Sequence, residues 1–145
     1  MDIDLSVLNY RFTAKPLLIG GKAKEYYKIR KSGPDTDLVV TEKDYLALSV
    51  LYPDGKKDLW GDKGVITKGF EIWRTICLFD YDYLSREALE TENYKIISLE
   101  KLLFLTALGI RKDKYLEDLK LIVEKILEIQ YKDFDDSKYS GKYGK

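Results

Sequence analysis

A single α/β (α+β) domain over residues 1–131 is what this sequence predicts: a small mixed β-sheet of about four to five strands, flanking helices and a C-terminal helical hairpin. Three observations predict it. Leu17-Leu18-Ile19 is a short apolar run that stops at Gly20-Gly21 and gives way to helix formers, the pattern of a buried strand turning into a helix. Residues 56–78 read as β-structure, with Gly61, Gly64 and Gly69 marking turns or bulges. Residues 99–130 carry apolar side chains at helical spacing.

In chain order, residues 1–14 are of mixed character and suit a short leading helix or strand. After Leu17–Ile19, a helix over Lys22–Ile29 places Ala23, Tyr26, Tyr27 and Ile29 at apolar spacing. Ser32-Gly33-Pro34 breaks it, and Thr36–Val40 is the next strand. Thr41 caps a helix over residues 42–51, which Tyr52-Pro53-Asp54-Gly55 closes. Phe70–Leu78 is the best strand of the β-like region. Phe70, Ile72 and Ile76 share one face, while Glu71, Trp73, Thr75 and Cys77 share the other. Cys77 reads as a small buried apolar group and both tryptophans, Trp60 and Trp73, as packing residues. A short helix over Ser85–Leu89 and a strand over Tyr94–Ile97 follow. Ser98 caps a helix over residues 99–110. A last helix over residues 114–130 has Leu116, Leu119, Val123, Ile126 and Leu127 as its inner stripe. Residues 132–145 are polar and rich in Gly, Ser and Lys, and are expected to be a disordered tail.

Composition narrows the chemistry. The chain has 145 residues, enough for one domain with its own core and short for two. Lys plus Arg and Asp plus Glu are 25 each, which argues against a strongly basic nucleic-acid coat and leaves a local patch open. No apolar run reaches membrane-spanning length, and the acidic start differs from a signal peptide. With Cys77 as the one cysteine, no internal disulfide forms, and a cytoplasmic location is the expectation. There is no histidine, so Ser–His and Cys–His nucleophiles and His-ligated zinc are excluded. Acid, base or metal chemistry must rest on carboxylates, Lys, Tyr and backbone.

The carboxylates that suit such work are Asp35 and Asp37, which open the second strand. One residue apart, they lie on the same strand face, and their repulsion is relieved by a cation between them. Upstream, Gly20-Gly21 offers open backbone N–H groups at a strand-to-helix turn, a phosphate-binding arrangement. Each feature has a plainer reading: a turn that needs positive φ at the glycines, and a turn Asp followed by an exposed strand carboxylate. Together they describe metal plus phosphate. Glu71, on a neighbouring strand, is the candidate third carboxylate; an exposed strand charge is its plainer reading. Carboxylate-held Mg²⁺ (or Mn²⁺) bridges a triphosphate, and transfer then depends on positioning and charge neutralisation.

Leu18-Ile19-Gly20-Gly21 with Asp35-Thr36-Asp37-Leu38-Val39 resembles the signature of the DNA polymerase β-type nucleotidyltransferase superfamily. The helical region from Ile97 to Leu119, including Arg111 and Lys114-Tyr115-Leu116-Glu117-Asp118, is similar to the abortive-infection-type members, several of which are toxins of type IV toxin–antitoxin pairs. The resemblance spans residues 15–128. It implies a nucleotidyltransferase fold and transfer of a nucleoside monophosphate from an NTP to a hydroxyl of an RNA 3′ end, a small molecule or a protein. It implies phosphate binding at Gly20 and Gly21, metal binding at Asp35 and Asp37, and a nucleotide-binding pair in Lys114 and Asp118. Lys114 and Asp118, four residues apart, also suit a simple surface ion pair. Two positions depart from the pattern: Thr106 stands where a lysine is expected, and Tyr115 where an aspartate is. Lys101 or Lys112 are the candidate substitutes for that lysine. The departures keep open an alternative, a catalytically inactive nucleotidyltransferase-like binding or regulatory protein, as half of a toxin–antitoxin pair or with a helical partner.

Overall fold

The sheet is wider than expected, because the β-like region from residue 56 supplies three of its strands and the two-residue segment Leu89–Glu90 joins the other edge. In the computed structural model, which describes residues 2–131, seven strands form one mixed sheet. They are β1 (Leu17–Ile19), β2 (Thr36–Val39), β3 (Lys56–Leu59), β4 (Asp62–Thr67), β5 (Phe70–Trp73), β8 (Leu89–Glu90) and β9 (Lys95–Ile96). Their order is β3-β4-β5-β2-β1-β9-β8. A separate two-stranded hairpin pairs β6 (Thr75–Ile76) with β7 (Phe79–Asp80). The helices are α1 (Gly20–Tyr26), α2 (Glu42–Leu51), α3 (Tyr81–Leu84), α4 (Leu99–Leu108) and α5 (Asp113–Gln130).

The centre of the sheet is built from the runs that look most buried in the sequence. Leu17 and Leu18 of β1, Leu38 and Val39 of β2, and Ile72 of β5 are fully buried. β2 runs antiparallel to β1 and parallel to β5. In this register Ile19 is opposite Asp37, and Asp37 is opposite Glu71. The two expected strand carboxylates therefore become direct neighbours at the middle of the sheet.

Several expectations are corrected. The leading segment forms a single 3₁₀ turn over Leu5–Leu8. α1 begins at Gly20 and ends at Tyr26, because Lys28 adopts a left-handed conformation (φ 61°). The Lys28 and Ile29 amides then donate back to the carbonyls of Glu25 and Lys24, both at 2.9 Å, closing the helix end. The strand from Phe70 stops at Trp73, and the chain turns into the β6–β7 hairpin. Cys77 and Leu78 form the tip of that hairpin at positive φ, so Cys77 is exposed rather than buried in a strand. Trp60, at the β3–β4 turn, is wholly exposed, whereas Trp73 is buried as expected. The short helix falls at residues 81–84, and Leu89 belongs to β8.

The C-terminal helices pack on each other as a hairpin. Ser98 caps α4, accepting from the Lys101 amide at 3.1 Å. In α5 the buried residues are Asp118 and Ile122, while Leu116 and Val123 of the expected inner stripe are exposed. Residues 132–145, expected to be a tail, lie outside the described residues. No helix among the described residues is long and apolar enough to cross a membrane.

Candidate functional site

The β1–α1 turn brings backbone and carboxylate together. Gly20 has φ +66°, which a side chain adopts only under strain. A Cβ at Gly20 would also collide with the Asp37 carboxylate. Glycine is thus required twice over, by the turn and by the close approach of Asp37. Gly21 is different: a Cβ there would meet Ser32 at an ordinary 3.5 Å.

The loop leading to β2 is tied to α1. Glu25 accepts from the Ser32 amide at 2.9 Å and from the Ser32 hydroxyl at 2.6 Å, and Lys22 Nζ donates to the Gly33 carbonyl at 3.1 Å. These bonds hold the segment that delivers Asp35. Asp35 is exposed, Asp37 half-buried and Glu71 half-buried, and all three line one cleft of about 570 Å³ with Gly20 and Gly21. Burial and the neighbouring charges of Glu71 and Asp35 push the Asp37 carboxyl up to about 7, against a smaller opposing pull from Lys24 and Lys114. A carboxyl in this state resists ionisation below neutral pH.

The same cleft also carries positive charge. Lys24 of α1, Arg30, and Lys114 and Tyr115 of α5 also line it. Asp118 is buried behind this wall and binds both of the first two cations. Its Oδ2 accepts from Lys24 Nζ at 2.8 Å and Arg30 Nη2 at 3.0 Å, and its Oδ1 accepts from Arg30 Nε at 2.7 Å. Burial alone would raise the Asp118 carboxyl, but these hydrogen bonds and charges carry it below the usual range. Burial lowers Lys24, which Asp118 partly offsets. Lys24 Nζ and Lys114 Nζ each lie 4.9 Å from the centre of the Tyr115 ring, whose π-face receives two cations. Gly109 makes room for that ring, since a Cβ there would sit 2.9 Å from Tyr115 Cδ2.

The structure therefore brings together Gly20, Gly21, Asp35, Asp37, Glu71 and Lys114 around one cleft. It separates the expected Lys114–Asp118 pair: Asp118 turns inward to Lys24 and Arg30, and it does not line the cleft. Arg30, which no sequence motif singles out, is held by Asp118 through its Nε and Nη2. Lys24 could not be singled out either, because its importance depends on a carboxylate 94 positions away. Thr106 is buried and lines the cleft without supplying a charge. Of the two candidate substitutes, Lys101 lies over the Tyr83 ring at 4.2 Å, away from the cleft lining. Lys112 lies 5.9 Å from the Tyr115 ring centre and also falls outside the lining.

Among the described residues, no three acidic, His or Cys side chains converge into a complete metal cage. The donor set still fits a hard divalent cation. Mg²⁺ is ordinarily held by one or two carboxylates plus substrate phosphates and water, and Asp37 is a carboxylate whose ionised form is destabilised by its neighbours. In comparisons with known proteins, no family model and no curated protein matches the chain.

Proposed function

We propose that this protein is a metal-dependent nucleotidyltransferase, moving a nucleoside monophosphate from an NTP to a hydroxyl acceptor in a nucleotidyltransferase-type fold. The observation that carries the reading is Asp37: a half-buried carboxylate beside Glu71 in register and Asp35 two residues away, packed against a glycine turn in a cleft that Lys24, Arg30 and Lys114 also line. The carboxylates suit a divalent cation, and the cations suit the anionic phosphates that accompany it. Asp35 and Asp37 would hold Mg²⁺ or Mn²⁺ together with substrate phosphates and water, and Glu71 stands beside Asp37 in register without closing a three-carboxylate cage. The ion when bound supplies Lewis-acid charge neutralisation on the phosphates and lowers the pKa of the acceptor hydroxyl.

The protein's own residues do the positioning. Gly20 allows the backbone to approach Asp37, and Gly20 and Gly21 line the same cleft. Lys114 offsets charge on the transferred group. Acceptors consistent with the resemblance are an RNA 3′ end, a small hydroxylated molecule or a protein side chain, the first in the setting of a toxin–antitoxin pair.

The test is binding of labelled NTPs with and without Mg²⁺ or Mn²⁺, wild type against the Asp35→Ala/Asp37→Ala double variant. Metal-dependent binding lost in the variant is the expected result. Equal binding by both proteins would remove the reading. A second reading, a nucleotide-binding protein without catalysis, draws on buried Thr106 and on Tyr115, which put no further charge at their positions. It predicts the same metal-dependent binding with no pyrophosphate released when candidate acceptors are supplied.

A further inference from the structure

We propose that Asp118 is a positioning residue that clamps Lys24 and Arg30 into the wall of a polyphosphate subsite completed by Lys114. The proposal rests on the nucleotide reading for its biological ligand, and it stands on geometry of its own. Three cations from three chain segments line the same cleft, and a single buried carboxylate joins two of them. Lys24 is only 3% exposed yet still lines the cleft, so its ammonium is held there rather than solvated. Its Nζ bond to Asp118 and the Tyr115 ring define its place. Arg30 makes a bidentate contact through Nε and Nη2, which fixes the plane of its guanidinium.

Charge counting shows why the arrangement suits an anion with several charges. Lys24, Arg30 and Lys114 against Asp118 leave the wall with excess positive charge. A compact single anion would satisfy one cation; a linear polyphosphate has an oxygen set for each. Asp35, Asp37 and Glu71 line the same cleft, so a polyphosphate without metal is expected to bind there, but less tightly than one that carries a divalent cation. Tyr115 holds both Lys24 and Lys114, each ammonium 4.9 Å from its ring centre.

The clamp makes a prediction opposite to simple electrostatics. Replacing Asp118 by Asn removes a negative charge behind the wall, so an account based on net charge alone predicts tighter anion binding. In a positioning account Lys24 loses the partner that offsets its burial, sheds its proton more readily, and Arg30 loses its fixed plane, so binding weakens.

Isothermal titration calorimetry of the full chain with inorganic tripolyphosphate, without added metal, tests this. Wild type is expected to bind, Asp118→Asn to bind at least tenfold more weakly, and Asp118→Glu to recover part of the loss. Because Asp118→Asn strands a buried lysine and can lower stability, two milder variants carry the same test. Arg30→Lys keeps the charge but loses the fork, and Lys114→Ala removes an exposed cation; each is expected to weaken binding severalfold with the fold retained by circular dichroism. Wild-type binding unchanged in Arg30→Lys and Lys114→Ala, or tightened in a folded Asp118→Asn, overturns the clamp. The Asp35→Ala/Asp37→Ala variant separates the two ideas. If it keeps tripolyphosphate binding while wild type shows no metal-dependent NTP binding, the clamp stands and the nucleotidyltransferase reading falls. If wild type binds NTP with metal but shows no tripolyphosphate binding that depends on Arg30 and Lys114, the reverse holds.

Discussion

Two adjacent glycines in this chain have different physical duties, and they separate cleanly by experiment. At Gly20 a side chain faces a left-handed backbone, costing roughly 1–2 kcal/mol, and then the Asp37 carboxylate. Gly20→Ala is therefore expected to lower stability by about 2 kcal/mol or more, with a clear fall in Tm, and to abolish metal-dependent ligand binding because Asp37 is displaced. Gly21→Ala, inside α1 with room against Ser32, should be neutral or gain about 0.5–1 kcal/mol. Equal effects of the two substitutions in thermal melts would contradict this account of the turn. Gly20-Gly21, Asp35 and Asp37 were legible in the sequence because strand alternation and turn chemistry act over a few residues. Glu71 was legible as a strand carboxylate, and only the β2–β5 register makes it a neighbour of Asp37. Lys24 and Arg30 were not legible, since a buried cation announces itself only once its distant partner is known.

At the scale of elements, α5 shows how a single long-range charge overrides periodicity. Leu116, Leu119, Val123, Ile126 and Leu127 form a convincing apolar stripe, yet Leu116 and Val123 are exposed. The face that packs inward carries Tyr115, Asp118, Ile122 and Ile126, a pattern with the same helical spacing rotated about the axis. The stripe alone cannot choose between these rotations. The pull of Lys24 and Arg30 on Asp118 favours the one observed.

The end of β5 was illegible for a similar reason. Nothing in Phe70–Leu78 breaks strand alternation, but Asp62 at the start of β4 captures the segment that follows. Its carboxylate accepts from the Thr75 hydroxyl at 2.6 Å and from the Cys77 and Leu78 amides at 2.8 and 2.9 Å. Asp62 thereby folds the tip of the β6–β7 hairpin, where Ile76 and Cys77 form part of the cleft rim. Asp62→Ala should cost about 1–2 kcal/mol and speed hydrogen exchange at the Cys77 and Leu78 amides far more than at β2. Uniform acceleration across the sheet would mean that Asp62 supports the whole fold instead of this hairpin.

For the whole molecule, three acidic side chains set opposite pH dependences. Burial alone would raise Asp44, but hydrogen bonds from the Tyr10 hydroxyl at 2.6 Å and from Thr13 and Ala14 hold it below its usual range. It ties the N-terminal segment to α2, as Asp118 ties α5 to α1. Both carboxyls are depressed in the fold, so their stabilisation is present above the unfolded value of 3.8 and is lost as pH falls below it. Asp37 has the other sign. Its carboxyl is raised from 3.8 to about 7, so below pH 3.8 it is protonated in both states and costs nothing. Between those values the unfolded chain is already ionised, and above pH 7 the folded protein bears the full cost of the buried charge. Stability in metal-free buffer should therefore peak near pH 4, decline as pH rises from about 4 to 7 towards neutrality, and level off above it. The chain has no histidine, which removes the side chain that ordinarily complicates this interval. Asp37→Asn should flatten the neutral decline and leave the acid limb in place, so its denaturation midpoint exceeds that of wild type at pH 8 and converges with it by pH 4. Mg²⁺ should restore wild-type stability at pH 8 without affecting Asp37→Asn, because the cation offsets a charge that only the wild type carries. A neutral decline that survives in Asp37→Asn would assign it to another group and remove the electrostatic argument for a cation at this position.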